Sequence, residues 1–252
     1  MRHASRATRR GVGTLAGLAA ITTTILCAAS AQAATVPVGS SLNGTFQAVP
    51  FGGSHLTLVQ RTLPAGANVT SPVDGTVVSY RVAVADGTFA IQVVRFSGDA
   101  GQSIANSTPT AITTSGISAP VATSLVIQKG DSLGIRNFGG GDELGAIDND
   151  STYSLWEPPL IVGTPPRNPD DTVTRFEVGV QATVRYCQVP KVKGKSPKKA
   201  RSALAAADCT VGKVKKTKKV RKKKKVLSQS VAPGTAISDT APVNLKVSRK
   251  RR

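Results

Sequence analysis

The chain has 252 residues, enough for one large domain or two modest ones, and a formal net charge of +19 that is unevenly distributed. Residues 34–186 carry eight basic and twelve acidic side chains, whereas residues 187–252 carry twenty-one basic and two acidic ones, which argues against a uniformly basic nucleic-acid-binding protein. Few aromatic residues beside 24 Gly and 15 Pro argue against a helical bundle. Two histidines and one methionine leave little material for metal or base chemistry, and we predict a non-enzymatic protein without cofactor or metal.

Residues 1–33 have the organisation of a cleaved export signal. Four arginines precede an uncharged stretch at 11–29, and Ala31-Gln32-Ala33 supplies the small residues that signal peptidase requires. A permanent membrane anchor is the alternative, but the stretch is close to the lower length limit for a span and only weakly apolar. We expect cleavage after Ala33 and a secreted mature chain without an integral membrane span.

Between residues 54 and 186, apolar and polar residues alternate in short runs separated by turn signals, as in half-buried strands. Asp86-Gly87 predicts a two-residue hairpin, and Lys129-Gly130-Asp131 predicts another tight reversal between two strands. The side chains expected to face the core are Val78, Tyr80, Val82, Val84, Phe89, Ile91 and Val93, followed by Phe176, Val178, Val180, Ala182, Val184 and Tyr186. We therefore predict a jelly-roll-like antiparallel β-sandwich over residues 34–186.

The same block resembles secreted actinobacterial β-sandwich modules that precede a basic C-terminal domain. The residues that carry the resemblance are Leu63-Pro64-Ala65-Gly66, Pro72-Val73-Asp74-Gly75-Thr76-Val77-Val78, Lys129-Gly130-Asp131-Ser132-Leu133-Gly134-Ile135 and Trp156-Glu157-Pro158-Pro159-Leu160. They are mostly turns and strand starts. The resemblance implies a scaffold that acts as a binding or structural module, and it brings no settled activity with it.

Acidic residues in this block admit two alternative chemistries. Gly139-Gly140-Gly141-Asp142-Glu143 and Asp148-Asn149-Asp150 concentrate oxygen atoms suited to Ca²⁺. Their order matches neither an EF-hand nor a Gly-rich calcium repeat, and we interpret them as a solvated loop. A wall polysaccharide hydrolase using acids between 142 and 157 is the enzymatic alternative, because glycoside hydrolysis needs two carboxylates. His55 does not indicate a Ser-His-Asp triad, because the sequence has no nucleophile elbow to present a serine. Trp156 is expected to pack into one end of the sandwich.

The C-terminal block predicts one helix packed on three short strands. Ser196 is suited to cap a helix that starts at Pro197. The apolar stripe of this helix consists of Ala200, Ala203, Leu204 and Ala207. Strands are expected to begin at Val211 and Val226, with a closing strand that alternates through Val243, Leu245 and Val247.

Cys187 and Cys209 remain once the signal, with Cys27, is removed. An even number of cysteines in an exported chain favours a disulfide. A bridge between residues 22 positions apart stabilises the folded state by about 3 kcal/mol in the chain-entropy model. A two-cysteine metal site is the alternative, but the C-terminal block contains no histidine.

This block resembles a PASTA domain, the module appended to penicillin-binding proteins and to extracellular parts of bacterial Ser/Thr kinases. The matching residues are Val189-Pro190 with Gly194, Ala200 with Leu204, Val226 with Ser228-Gln229, Pro233-Gly234-Thr235, and Val243, Leu245 and Val247-Ser248. The resemblance covers residues 187–248 and leaves a basic tail at 249–252. It implies association with the cell wall through peptidoglycan fragments or their stem peptides.

A dense run of cations follows the predicted helix. Its members are Lys213, Lys215, Lys216, Lys218, Lys219, Arg221, Lys222, Lys223, Lys224 and Lys225. We call this run the cationic ridge. Because it is interrupted by Val214 and Val220 and ends before Val226, we expect part of it on a hairpin and its tip. Ten cations without an intervening anion repel each other, which favours a polyanionic partner. In an exported protein we expect peptidoglycan or an anionic wall polymer; nucleic acid is the alternative, although the aromatic groups that stack on single strands are missing.

Overall fold

The computed structural model of the protein describes residues 34–50, 55–139, 142–220 and 224–250. The predicted signal at 1–33 and the last two residues of the basic tail lie outside these ranges. The described residues form fifteen strands and one helix, which confirms a mainly β fold followed by a small α+β domain.

The larger sheet is antiparallel and contains twelve strands, with the central path β1-β11-β4-β8-β3-β9-β10. Eleven of them precede the helix: β1 (Ala34–Gly39), β2 (Gln47–Pro50), β3 (Thr57–Thr62), β4 (Gly75–Ser97), β5 (Ala100–Asn106), β6 (Thr110–Ile117), β7 (Val121–Ile127), β8 (Ser132–Asn137), β9 (Glu143–Trp156), β10 (Asp171–Val178) and β11 (Val180–Gln188). The elements that follow are α1 (Pro197–Ala206), β12 (Val211–Val220), β13 (Val226–Gln229), β14 (Ala236–Ser238) and β15 (Val243–Lys250), of which β14 joins the larger sheet.

Strand β4 is the element around which the larger sheet folds. Its first part, residues 75–82, pairs with β7 and β11, whereas its remaining part pairs mainly with β5, β6 and β8. Buried side chains from both parts, among them Tyr80, Val82, Phe89 and Ile91, belong to one hydrophobic cluster. The two halves of the sheet therefore enclose a common core, as in a sandwich.

The hairpin predicted at Asp86-Gly87 is wrong, because β4 continues through both residues. Their backbones remain in the ladder, opposite Thr113 and Ile112 of β6. The change of direction comes instead from Val84, whose φ of 42° lies at a register shift between its two neighbours. A bulge bends a strand without ending it, and here it carries β4 from one half of the sandwich to the other.

Register shifts also change which valines of β4 are buried. Val77 is fully buried in place of Val78, which is half-buried like Val84, because the pairing with β7 slips between Val77 and Ser79. Tyr80 and Val82, and the return residues Phe89, Ile91 and Val93, are buried as predicted. A slip of one residue reverses the face that each following side chain occupies.

The turn at 129–131 and the alternating run 176–186 lie where the sequence predicts them, but their strands are arranged differently from the prediction. The turn at 129–131 exists, with Gly130 at a φ of 92°, but β7 and β8 pair with different parts of β4 and not with each other. The alternating run 176–186 is divided at Gly179 into β10 and β11, and its first member, Phe176, is 38% exposed. A Cβ atom on Gly179 would meet Ala83 at 2.7 Å, so the chain crosses between the halves where only glycine fits.

The C-terminal domain has a three-stranded sheet in the order β12-β15-β13. Strand β15 runs parallel to β12 and antiparallel to β13. The Ser196 hydroxyl accepts a hydrogen bond from the Lys199 backbone N–H at 3.3 Å, which confirms the predicted helix cap. Ala200 and Leu204 of α1 share a buried cluster with alternate residues of β15. The predicted hairpin between β12 and β13 is wrong, because the apolar strand β15 occupies the centre between them.

The two sheets meet through strand β11. Its last residues, Tyr186, Cys187 and Gln188, pair with the short strand β14, so the predicted boundary after residue 186 lies within a continuous strand. The Asp239 carboxylate, just beyond β14, accepts hydrogen bonds from Thr76 Oγ1 at 2.7 Å and from Arg185 Nε at 3.0 Å. Backbone pairing and a buried carboxylate therefore attach the C-terminal domain to the sandwich.

Candidate ligand-binding groove of the C-terminal domain

A groove of about 360 Å³ lies on the three-stranded sheet of the C-terminal domain. Val243, Leu245 and Val247 of β15 are buried in the cluster that contains α1, and Asn244 and Lys246 between them are exposed. Since successive side chains of a strand point to opposite faces, the groove lies on the sheet face away from the helix. Its lining residues are Lys213, Lys215, Ser228, Gln229, Ser230, Asn244, Leu245 and Lys246.

Asn244 joins the walls of the groove. Its side-chain Oδ1 accepts a hydrogen bond from the backbone N–H of Lys213 at 2.7 Å. Its backbone N–H donates to Ser230 Oγ, and its carbonyl accepts from the Ser230 N–H, both at 2.9 Å. A Cβ atom on Gly212 would overlap Asn244 Oδ1, so glycine is required for β12 to approach this closely. Asn244, Ser230 and the backbone of β12 at Lys213 are thus held in place before any ligand arrives.

Gln229 fixes the floor of the groove to the start of the domain. Its Oε1 accepts from the Val192 N–H at 3.0 Å, and its Nε2 donates to the carbonyls of Val231 at 2.9 Å and Pro190 at 3.2 Å. These bonds use both donors of the amide and one of the two acceptor positions of Oε1, which leaves Gln229 little hydrogen-bonding capacity for a ligand. We therefore assign Gln229 a structural role in the groove.

The lysines of the groove have no compensating charge. Among the described residues, every ion pair uses an arginine, and no lysine takes part in one. Neither acidic residue of the C-terminal domain changes this. Asp239 is paired with Arg185, and Asp208 forms no ion pair among the described residues. Lys213, Lys215 and Lys246 therefore present uncompensated ammonium groups beside the hydroxyls of Ser228 and Ser230, an arrangement suited to an anionic, oxygen-rich ligand.

Within the ranges that the structure describes, only two residues of the predicted cationic ridge line the groove. Lys213 and Lys215 line it, Lys216 lies on the same strand, and Lys224 and Lys225 are exposed before β13. Of the other five predicted residues, Lys218 and Lys219 are described only as backbone of β12, and Arg221, Lys222 and Lys223 lie outside the described residues. Sequence reasoning missed Lys246, although the alternation of Val243, Leu245 and Val247 places it on the polar face of β15.

The predicted disulfide is confirmed. Cys187 at the end of β11 and Cys209 after α1 are joined by an S–S bond of 1.98 Å, and both residues are buried. The bridge links the entrance of the C-terminal domain to the end of its helix.

The acidic segment of the sandwich is not a solvated loop, because Asp148-Asn149-Asp150 lies within strand β9. Asp142 is buried, and its carboxylate accepts hydrogen bonds from the backbone N–H groups of Phe138 and Gly139 at 3.1 and 2.8 Å. Within the described ranges, no three His, Cys, Asp or Glu side chains come together as a metal site would need. Trp156 is fully buried with Val59, Val94 and Leu160, as predicted. His55 is exposed before β3.

Comparison with known proteins identifies one region of the chain. Residues 188–249 match the PASTA domain, and the lysine-lined groove lies within this segment. No curated protein and no solved structure matches the chain. Across the residues that the structure describes, none of the helices has the length and apolar character needed to cross a membrane.

Proposed function

We propose that this chain, with its PASTA domain at residues 188–249, is a secreted, non-enzymatic protein of the cell envelope. In this proposal the PASTA domain binds peptidoglycan or an anionic wall polymer through the lysine-lined groove. The β-sandwich faces outward as a binding or structural module. The family match supports an envelope location, and the buried disulfide supports an oxidising compartment outside the cytoplasm.

The observation that carries the proposal is the convergence on one groove of three lysines that form no ion pair within the described part of the chain. Lys213 and Lys215 come from β12 and Lys246 from β15, so two neighbouring strands contribute charge to the same surface. Stem-peptide carboxylates and wall phosphodiesters both offer anionic oxygens to ammonium donors and serine hydroxyls. An interaction between exposed charges weakens as salt screens it, so this mode of binding has a measurable signature.

The experiment is a co-sedimentation assay of the full chain with purified peptidoglycan, once with and once without its attached anionic polymer. We expect retention on the wall material and progressive release as salt rises. Each exposed charge contact contributes up to about 1 kcal/mol. The triple variant Lys213→Gln, Lys215→Gln, Lys246→Gln loses three such contacts together, and its affinity should fall about tenfold or more.

The matched control removes the same charge elsewhere in the domain. Lys193, Lys198 and Lys199 are exposed near the start of α1 and do not line the groove. Their replacement by Gln should reduce retention much less than the groove variant does. If both triple variants lose retention equally, the protein binds through its overall positive charge and not through the groove. Stronger binding to duplex DNA than to wall material at physiological salt would favour nucleic-acid binding instead.

A further inference from the structure

A second groove, of about 420 Å³, is formed entirely by residues of the sandwich. Tyr153 and Leu155 of β9 pack against the main core, and Thr152 and Ser154 therefore lie on the outer face of the sheet. The groove is within the size range of sites for small molecules. Its lining residues are Arg61, Asp99, Thr152, Ser154, Asn168, Pro169 and Thr172.

Arg61 is held in this groove with part of its hydrogen-bonding capacity unused. The guanidinium carbon lies 4.0 Å from the centre of the Phe96 ring, which fixes the plane of the group. Nη2 lies 3.3 Å from Asp99 Oδ1. Nη1 is buried and has no hydrogen-bond partner among the described residues. The Arg61 side chain as a whole is 24% exposed and lines the groove, so it keeps accessible surface there besides the buried Nη1.

The other polar groups of the groove supply both donors and acceptors. Ser154 Oγ and Thr172 Oγ1 lie 3.1 Å apart and share one hydrogen bond. Ser154 is buried and Thr172 is exposed, so Thr172 is the hydroxyl of this pair that a ligand can reach. Asp99 is 88% exposed, and most of the acceptor positions on its carboxylate are open to solvent. Guanidinium, carboxylate and hydroxyl groups thus lie along one cleft.

The rim of the groove is rigid. Arg167, immediately before Asn168, exchanges two backbone hydrogen bonds with Gly101 at 2.9 and 3.1 Å. The Arg167 carbonyl also accepts from the Trp156 indole N–H at 3.0 Å, and the Asp170 N–H donates to the Leu155 carbonyl at 2.9 Å. A binding site held by such contacts loses little freedom when a ligand enters.

We propose that this groove is an oligosaccharide-binding site for a neutral glycan chain. Each sugar hydroxyl is both donor and acceptor, which matches a cleft that offers Arg61, Asp99 and paired hydroxyls side by side. The carboxylate of Asp99 disfavours a polyanion, and an apolar ligand would find only Pro169 as a non-polar side chain in the lining. The site is separate from the lysine-lined groove and does not depend on the function proposed for it.

The test is isothermal titration calorimetry of the full chain with cellotetraose, chitotetraose and mannotetraose, at low and at high salt. We expect at least one of these probes to bind with an affinity that salt leaves unchanged, since no net charge is neutralised. Asp99→Asn and Arg61→Gln should each weaken that binding about tenfold, the effect of losing one hydrogen bond to a charged group. Asp99 is almost fully exposed, so its variant retains the fold even if Arg61→Gln does not.

Asp208→Asn is the matched control, because it makes the same chemical change at an exposed carboxylate of the other domain. It should leave glycan binding unchanged, as should the triple lysine variant. The proposal is overturned if none of the three probes gives a binding isotherm. It is equally overturned if Asp99→Asn and Arg61→Gln, folded as judged by Trp156 fluorescence, bind the probe as tightly as the unmodified chain.

Discussion

Replacing Asp239 by alanine tests the attachment of the PASTA domain to the sandwich. The change removes the acceptor for Thr76 Oγ1 at 2.7 Å and for two nitrogen atoms of Arg185, each at 3.0 Å. Asp239 belongs to the C-terminal domain, and both of its side-chain partners belong to the sandwich. We therefore expect the substitution to lower the stability of the junction without altering either hydrophobic core.

The size of the loss in the free energy of unfolding follows from the exposure of Thr76 and Arg185. Thr76 is only 5% exposed, and a buried hydroxyl left without its acceptor costs about 1–3 kcal/mol. The Arg185 side chain is 41% exposed and regains water when the carboxylate is removed, so its ion pair contributes at most about 1 kcal/mol. The free energy of unfolding should fall by about 2–3 kcal/mol in Asp239→Ala. Asp239→Asn keeps an acceptor for Thr76 and should lose only about 1 kcal/mol.

The assay is urea denaturation of the full chain, followed by two signals. Trp156 is the only tryptophan and lies in the sandwich, so its fluorescence reports unfolding of that domain alone. Far-UV circular dichroism reports both domains. We expect the two curves to coincide in the unmodified chain and to separate in Asp239→Ala, because cooperativity between the domains depends on their contacts.

Asp208→Asn is the control, since it removes the other acidic residue of the domain at an exposed position. Its denaturation midpoint should remain that of the unmodified chain. An Asp239→Ala variant that unfolds at the same midpoint, with both signals still coincident, would refute the reasoning that this carboxylate couples the two domains.

Two further predictions concern other parts of the molecule. Gly212→Ala should displace Asn244, whose Oδ1 occupies the space of the new methyl group, and we expect a loss of about 1–3 kcal/mol with weaker retention on wall material. The pKa of Asp170 is held below its ordinary value by the hydrogen bond from the Glu157 backbone N–H and then by the Arg167 guanidinium. Because the folded-state pKa is lowered, this contact stabilises the fold above the unfolded carboxyl value of about 3.9 and is lost as acid protonates the group. Carboxyl NMR titration measures that midpoint.

Each of these predictions has a clear contrary outcome. Gly116→Ala is the control for Gly212, because a Cβ atom there meets nothing within 4 Å, and equal stability losses in the two variants would contradict the close-approach argument. For Asp170, a titration midpoint at or above the value of a free aspartate would show that the Glu157 N–H does not hold the carboxylate.

Local sequence signals predicted the elements whose geometry is decided by neighbouring residues. Ser196 and Pro197 start α1 because a cap needs only the next turn of the chain, and the alternation of Val243, Leu245 and Val247 identified β15 for the same reason. The disulfide was predictable because few cysteines were available to pair.

Features that depend on distant residues were not predictable in this way. Asp86-Gly87 has the composition of a hairpin turn, yet β6 pairs with it and the Asp142 carboxylate occupies the space above Gly87. Neither contact is visible in the local sequence. The candidate groove shows the same limit: the lysine run indicated a cationic surface, but only the parallel pairing of β12 with β15 brings Lys246 beside Lys213 and Lys215.

The disulfide also determines how tension would pass through a protein held at one end. A pull on strands β12 to β15 reaches Cys209, and from there the covalent S–S bond leads directly to Cys187 in β11. The intervening residues, including α1, lie outside this covalent path. The mechanical strength of an anchored molecule would then depend on β11, which pairs with β1 and β4 in the sandwich and with β14 at its end.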